Sequence, residues 1–178
     1  MPTEISGATG VNKIQTNAIE HLDLPSGCVL QVLQAMVTGH SSTTSVSFVD
    51  VSGLSISITP KSTSSKILVT ADLNMGTGSG FRAHGRILRD STALGVGTVT
   101  GSRSPSTFAV RSKDNGYLNN VSATVLDSPS TTSAITYKVQ IMAEYTSGVT
   151  YVNRTFSDAN NSTYPRTASM ITVQEIAG

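Results

Sequence analysis

From residue 28 onward, apolar and polar residues alternate with a period of two along most of the chain. The clearest stretch is 54–59, where Leu and Ile alternate with Ser and Thr, and the runs at 67–75 and 135–145 follow the same rule. Such alternation is typical of a β-strand with one buried face, because successive side chains point to opposite sides. It predicts about ten or eleven strands, within 28–37, 45–51, 54–59, 67–75, 81–89, 93–99, 106–111, 117–126, 135–145, 149–151 and 170–174.

Turn-forming residues separate these strands. The connections at 60–62, 76–80, 114–116, 127–129 and 160–162 are rich in Gly, Pro, Asn, Asp and Ser, which either tolerate positive φ or fix φ in advance. Many short strands without intervening helices predict an all-β protein. We therefore expect residues 28–178 to form an antiparallel β-sandwich of the jelly-roll type.

Residues 1–27 lack this alternation and are predicted to form an extended N-terminal arm. Apolar residues recur there every three to four positions, as in a short helix, but the Asn and Thr residues between them disfavour one. Pro25 fixes its own φ and restricts Leu24 to extended geometry, which places the domain boundary at this point. The arm residues predicted to bind a partner are Val11, Ile14, Ile19 and Leu22.

Composition excludes several classes of protein. A net charge of +1 and a charged fraction of 13% argue against a nucleic-acid coat, because phosphate binding requires a basic excess. No apolar run approaches the roughly 20 residues of a membrane span, so we expect neither nucleic acid nor a membrane as a partner. Ser and Thr make up 50 of the 178 residues. The weakly hydrated strand face that they form suits packing on an identical neighbour, but it is equally compatible with a solvated surface.

The residues that carry chemistry form no catalytic pattern. The single Cys and the three His lack the spacing of metal ligands. The Gly-rich segment 76–80 lacks the Lys-Ser/Thr ending and the following helix of a phosphate-binding loop. We expect no enzymatic activity, no metal and no cofactor.

The strongest polar signal is the group Arg82, His84 and Arg86, which the alternation places on one face of a strand. Two interpretations are open: a subunit interface, since Arg suits bidentate pairing with carboxylates, or a solvated face whose charges prevent edge pairing. A protein with no Trp and 5% aromatic residues gives little support to a sugar-binding platform. Core or interface positions are therefore expected for Tyr117, Tyr145, Tyr151 and Tyr164.

Two segments resemble a known family. Residues 24–32 read LPSGCVLQV, and residues 47–60 read SFVDVSGLSISITP, a block that is distinctive in order and spacing. The pattern continues through 64–69, 86–88, 92–97, 126–129, 136–140 and 168–175. Over residues 24–176 the chain resembles tail-associated and capsid-surface proteins of marine and freshwater bacteriophages, including cyanophages. This family carries no catalytic motif to transfer.

The resemblance implies a virion structural protein, a homotrimer of β-sandwich domains on the capsid exterior. In this interpretation the arm attaches to the major capsid protein and the protein cements or decorates the shell, with Val11, Ile14, Ile19 and Leu22 in grooves of the capsid subunit. The alternative is a tail-fibre or receptor-binding module that recognises a host glycan through loops at 76–80 and 157–165, including Tyr164 and Arg166. A polysaccharide depolymerase is a third hypothesis.

Overall fold

Eleven strands make up the secondary structure of the computed structural model, which describes residues 24–178. No helix occurs in this part of the chain. The predicted arm residues Val11, Ile14, Ile19 and Leu22 lie outside the described residues. The strands are β1 (Val29–Val37), β2 (Ser41–Thr43), β3 (Val49–Ile58), β4 (Lys66–Thr77), β5 (Arg82–Arg89), β6 (Thr92–Leu94), β7 (Phe108–Arg111), β8 (Leu118–Asp127), β9 (Ile135–Ala143), β10 (Thr150–Val152) and β11 (Ser169–Ile176).

The strand pairing is that of a jelly roll, as predicted. Four antiparallel pairs are nested in the sequence: β1 with β11, β3 with β9, β4 with β8 and β5 with β7. These four nested pairs form one long hairpin. The hairpin folds over so that β11 also pairs with β4 and β9 also pairs with β5, both antiparallel, which gives two sheets. The first sheet contains β1, β11, β4 and β8, and the second contains β3, β9, β5 and β7. Strands β2 and β10 extend the first sheet, and β6 extends the second.

The inward side chains of both sheets form one hydrophobic core. On β4, Ile67, Val69, Ala71 and Leu73 are fully buried, while Leu68, Thr70 and Asp72, which alternate with them, are half-buried. Val139 and Ile141 of β9 pack from the opposite sheet. Each fully buried aliphatic side chain contributes about 1.5–3 kcal/mol. The apolar residues that recur at every second position in the sequence are therefore the ones that face the interior of the sandwich.

Three predicted segments differ from the observed strands at glycines with positive φ. The segment predicted at 54–59 and the last residues of the one predicted at 45–51 belong to one strand, β3, whose register shifts between Asp50 and Ser55. Gly53, with φ of +84°, lies in this irregularity. Strand β6 ends at Leu94 rather than continuing to residue 99, because Gly95 adopts φ of +58° and turns the chain.

The sandwich has two different ends, which we name by their contents. At the entry end, where the N-terminal segment joins the sandwich, lie residues 24–28, 59–65, 128–134 and 177–178. At the loop end lie residues 78–81, 112–117, 144–149 and 153–168. The antiparallel pairing fixes this separation, since each strand runs from one end to the other.

Candidate interaction surfaces

Arg82, His84 and Arg86 lie on the outer face of the second sheet, as the alternation predicts. Arg82 forms an ion pair with Glu144, with 2.7 Å between Nη1 and Oε1, and its backbone N–H donates to Oε2 of the same carboxylate at 2.9 Å. Burial raises the pKa of Glu144, but the hydrogen bonds from Arg82 outweigh that effect and hold the pKa below its usual value. The charge of Arg82 is thus already compensated within the chain.

Arg86 also has partners within its own sheet. Its Nε and Nη2 donate to Oε1 of Gln140 at 2.9 and 2.7 Å, and its guanidinium lies 4.1 Å from the centre of the Phe48 ring. Gln140 in turn donates to Asp50 at 2.6 Å, and the Nζ of Lys138 lies 2.8 Å from the same carboxylate. The hydrogen bond from Lys138 lowers the pKa of Asp50. The face predicted as a subunit interface is a connected polar network.

His84 is half-buried between these groups. Its Nδ1 lies 3.3 Å from the Oγ of Ser106. Burial lowers the pKa of His84 because it disfavours the imidazolium; the carboxylate of Glu144 opposes this shift, and the guanidinium of Arg82 adds to it. The histidine is therefore biased towards its neutral form.

The outer face of the first sheet is almost uncharged. We define this low-charge face by twelve outward residues in three cross-strand rows, in which Asp72 is the one charged residue. Val32, Met36 and Leu126 are exposed by 55, 58 and 54%, respectively. Hydroxyl and amide groups bond to one another across the face, as in the 3.0 Å contact between Thr70 and Thr124. The rows are Leu126, Leu68, Gln174 and Val32; Thr124, Thr70, Thr172 and Gln34; and Ser122, Asp72, Met170 and Met36.

At the entry end, the segment leading into β1 is bonded to the end of β11. The backbone N–H of Gly27 donates to the carbonyl of Ala177 at 2.7 Å, and the N–H of Ala177 donates to the carbonyl of Cys28 at 2.8 Å. Nearby, the fully buried carboxylate of Glu175 accepts hydrogen bonds from Gln31 Nε2 and from the backbone N–H of Lys61, both at 2.6 Å. These bonds fix the point from which the N-terminal segment leaves the sandwich.

At the loop end, two pockets share residues of the β4–β5 connection; the first also contacts the β7–β8 connection, and the second contacts the β9–β10 connection. We call the two together the loop-end groove and each pocket a lobe. The first lobe, of about 400 Å³, is lined by Ser79, Gly80, Arg111, Ser112 and Lys113. The second lobe, of about 350 Å³, shares two of these residues and is lined by Ser79, Gly80, Phe81, Arg82, Glu144 and Tyr145. Neither Arg111 nor Lys113 was singled out from the sequence, because no spacing pattern connects them with the residues of the second lobe.

Of the tyrosines expected in core or interface positions, Tyr117 and Tyr145 do not lie in the core, and an interface position for them stays a prediction. Tyr145 and Tyr117 are exposed by 58 and 45%, and both belong to the loop end rather than to the core. The buried tyrosine is Tyr137, whose hydroxyl donates to Asp127 at 2.7 Å. Burial raises the pKa of Tyr137 far above its usual value. A turn sequence borders each exposed tyrosine, at 114–116 before Tyr117 and at 147–148 after Tyr145, whereas Tyr137 lies inside the run at 135–145.

A smaller cleft of about 180 Å³ brings together Tyr164 and Arg166, the residues named for a glycan site. Asp158 forms ion pairs there with Arg166 and, at 3.1 Å, with Arg154. The hydrogen bond between Arg166 and Asp158 lowers the pKa of Asp158 and raises the pKa of Arg166. Both guanidiniums therefore already have the same carboxylate as a partner. Its lining is completed by Ala159, Asn160 and Asn161.

Two further features are absent from residues 24–178. No three His, Cys, Asp or Glu side chains in this range converge on a position that could hold a metal ion. The same range contains no helix with the length and apolar character needed to cross a membrane.

Comparison with known proteins gives no family assignment. No protein-family profile matches the chain, and no curated protein matches it. Among solved structures, it is similar to the VP2 subviral particle of infectious bursal disease virus, with 16% sequence identity and a TM-score of 0.39. The similarity covers 84% of this chain and 41% of the VP2 chain, so this chain spans less than half of that protein.

Proposed function

We propose that this protein is a non-enzymatic structural protein of the phage virion, which binds the major capsid protein at the capsid exterior through its N-terminal segment and associates with copies of itself. The observation that carries the proposal is the fixed exit point of that segment. Backbone bonds between residues 27–28 and Ala177 hold the exit at the entry end. Attachment through this segment directs the entry end to the shell and leaves the loop end facing outward.

Oligomerisation strengthens such an attachment. Several copies joined together present several N-terminal segments, and binding of one segment raises the effective concentration of the others near the capsid. Modest affinity of each segment then gives tight decoration. The residues proposed to make the contacts are the apolar residues Val11, Ile14, Ile19 and Leu22, which bury area at the cost of ordering the segment.

The low-charge face is the surface that we assign to contact between copies. The three rows span five residues per strand, roughly 17 Å, and four strands about 4.8 Å apart give a flat projection of about 330 Å². A standard interface buries roughly 800 Å² per partner, so the contact that we propose is centred on these rows and extends beyond them. The opposite face carries charged groups that already have partners, and burying them against another copy requires further desolvation.

Capsid attachment is tested by sedimentation of purified capsids with the added protein. Deletion of residues 1–22 is expected to abolish co-sedimentation while the protein remains folded by circular dichroism. Replacement of Val11, Ile14, Ile19 and Leu22 by Ser is expected to do the same, whereas replacement of Asn12, Thr16 and Asn17 by Ser serves as the matched control. Full decoration of the capsid by the truncated protein would overturn the proposal.

Self-association is tested separately by analytical ultracentrifugation. Thr124→Lys places a charge in the middle row of the low-charge face, so it is expected to shift the trimer that we propose towards monomer. Ser55→Lys adds the same charge to an exposed position on the opposite sheet and is expected to leave the oligomer unchanged. If both variants sediment like the unmodified protein, another surface joins the copies.

The second candidate function, a tail-fibre or receptor-binding module, is favoured by the clustering of the groove and the exposed tyrosines at the loop end. Electron microscopy of particles labelled with antibody against this protein distinguishes the two locations directly. Label on the head supports capsid decoration, and label confined to the tail supports the fibre.

A further inference from the structure

We propose that the loop-end groove binds an acidic saccharide, meaning a sugar that bears a carboxylate or a sulfate. This inference goes beyond attachment to the capsid and does not depend on it. Each lobe of the groove, at about 400 and 350 Å³, falls within the size range of small-ligand clefts. Both lobes are lined by Ser79 and Gly80, so we place one extended ligand across them.

The first lobe supplies positive charge that has no partner. Arg111 lines this lobe and uses its Nε to donate to the carbonyl of Gly80 at 3.0 Å, which restrains the guanidinium. Within residues 24–178, no carboxylate lies within ion-pair distance of Arg111 or of Lys113. The nearest acidic neighbour in sequence, Asp114, accepts a hydrogen bond from the N–H of Gly116 and is not part of the lining. Two cations with free donors suit a carboxylate or a sulfate.

The second lobe supplies an exposed aromatic ring. Tyr145 is exposed by 58% and packs edge-on against Phe81, with 6.5 Å between ring centres. The C–H face of a pyranose packs on such a ring, and a polar rim provides hydrogen bonds to its hydroxyls. Here the rim is the Arg82–Glu144 pair, whose atoms still have free hydrogen-bonding capacity. Charge at one lobe and a ring at the other indicate an acidic sugar rather than a simple anion.

The walls of the groove are held in place by bonds between the β4–β5 and β7–β8 connections. The backbone N–H of Ser79 donates to Oδ1 of Asn115 at 2.7 Å, and the hydroxyl of Ser79 donates to the carbonyl of Lys113 at 3.0 Å. The N–H of Gly80 donates to the carbonyl of Ser112 at 2.9 Å. Such preorganisation reduces the entropy lost when a ligand binds.

The test is isothermal titration calorimetry of the full chain with three hexasaccharides: galacturonic acid, sulfated galactose and neutral galactose. Tighter binding of either acidic probe than of the neutral one supports the proposal, and the better of the two identifies the acidic group. Binding is expected to weaken from low to high salt, because charged groups at the surface are screened. Equal binding of all three probes, or no binding of the acidic probes at millimolar concentration, would overturn it.

Variants locate the site. Lys113→Ala is expected to weaken binding of the acidic probe about tenfold, corresponding to one charge-assisted hydrogen bond. Lys61→Ala removes an exposed lysine at the entry end and is expected to change nothing. Tyr145→Ala is expected to weaken binding of the same probe, with Tyr117→Ala as the matched control outside the lining. Unchanged affinity in both Lys113→Ala and Tyr145→Ala would place binding elsewhere and refute the assignment.

Discussion

Replacement of Glu175 is the sharpest test of how the entry end is built. The carboxylate is fully buried and accepts two short hydrogen bonds, from Gln31 on β1 and from the backbone of Lys61 in the β3–β4 connection. It therefore ties the first strand, the last strand and the intervening loop to one another. Gln31 also donates to the carbonyl of Thr59 at 3.0 Å, which extends the same network.

The magnitude follows from the hydrogen bonds. Each bond to a charged acceptor contributes about 1.5–3 kcal/mol, and each donor left buried without a partner costs about 1–3 kcal/mol. Relief of the desolvation of a buried carboxylate offsets part of this. We expect Glu175→Ala to lower the free energy of unfolding by roughly 3–5 kcal/mol. Glu175→Gln keeps one acceptor and is expected to cost about 1–2 kcal/mol.

The assay is urea unfolding at one fixed protein concentration, because association with other copies changes the apparent stability. Ser55→Ala is the control, since its side chain is exposed on the outer face of the second sheet, away from the low-charge face, and is expected to cost less than about 0.5 kcal/mol. Hydrogen exchange adds a local measurement. Relative to the unmodified protein, Glu175→Ala is expected to accelerate exchange of the β1 amides more than exchange of the β4 amides. A cost below about 1 kcal/mol for Glu175→Ala, with β1 unaltered, would refute the reasoning.

The strands were predictable because each long strand buries one face. Ile135 to Ala143 alternates between core and surface, and the corresponding sequence alternates between apolar and polar residues. The alternation did not predict strand β2, Ser41–Thr43, because this strand has no apolar residue and is held in the sheet by its pairing with β10. Local periodicity carries no information about a strand whose stability comes from its neighbours.

The candidate sites were predictable only in part, for a related reason. The sequence placed Arg82 and Arg86 on one face, but their partners are more than fifty positions away: Gln140 lies on β9, and Glu144 directly follows that strand. The loop-end groove likewise joins connections from separate hairpins. Which residues meet across a jelly roll depends on strand register, and alternation alone does not determine the register of one strand against another.

Three further perturbations test the packing and the electrostatics. Tyr137→Phe removes the hydroxyl that donates to Asp127 and is expected to lower the free energy of unfolding by about 1–2 kcal/mol; an unchanged urea midpoint would contradict this. A Cβ at Gly76 would lie 2.3 Å from a backbone carbonyl oxygen, whereas Gly97 faces open space, so Gly76→Ala is expected to cost at least about 2 kcal/mol and Gly97→Ala very little. Finally, burial lowers the pKa of His84 from its ordinary value of 6.5. As the pH falls through that value, the unfolded chain binds a proton that the folded chain resists, so stability declines. His84→Asn is expected to flatten the decline between about pH 7 and 5.5 without affecting the steeper loss at lower pH, where the paired carboxylates are protonated. An identical pH profile for His84→Asn and the unmodified protein would mean that His84 titrates alike in both states.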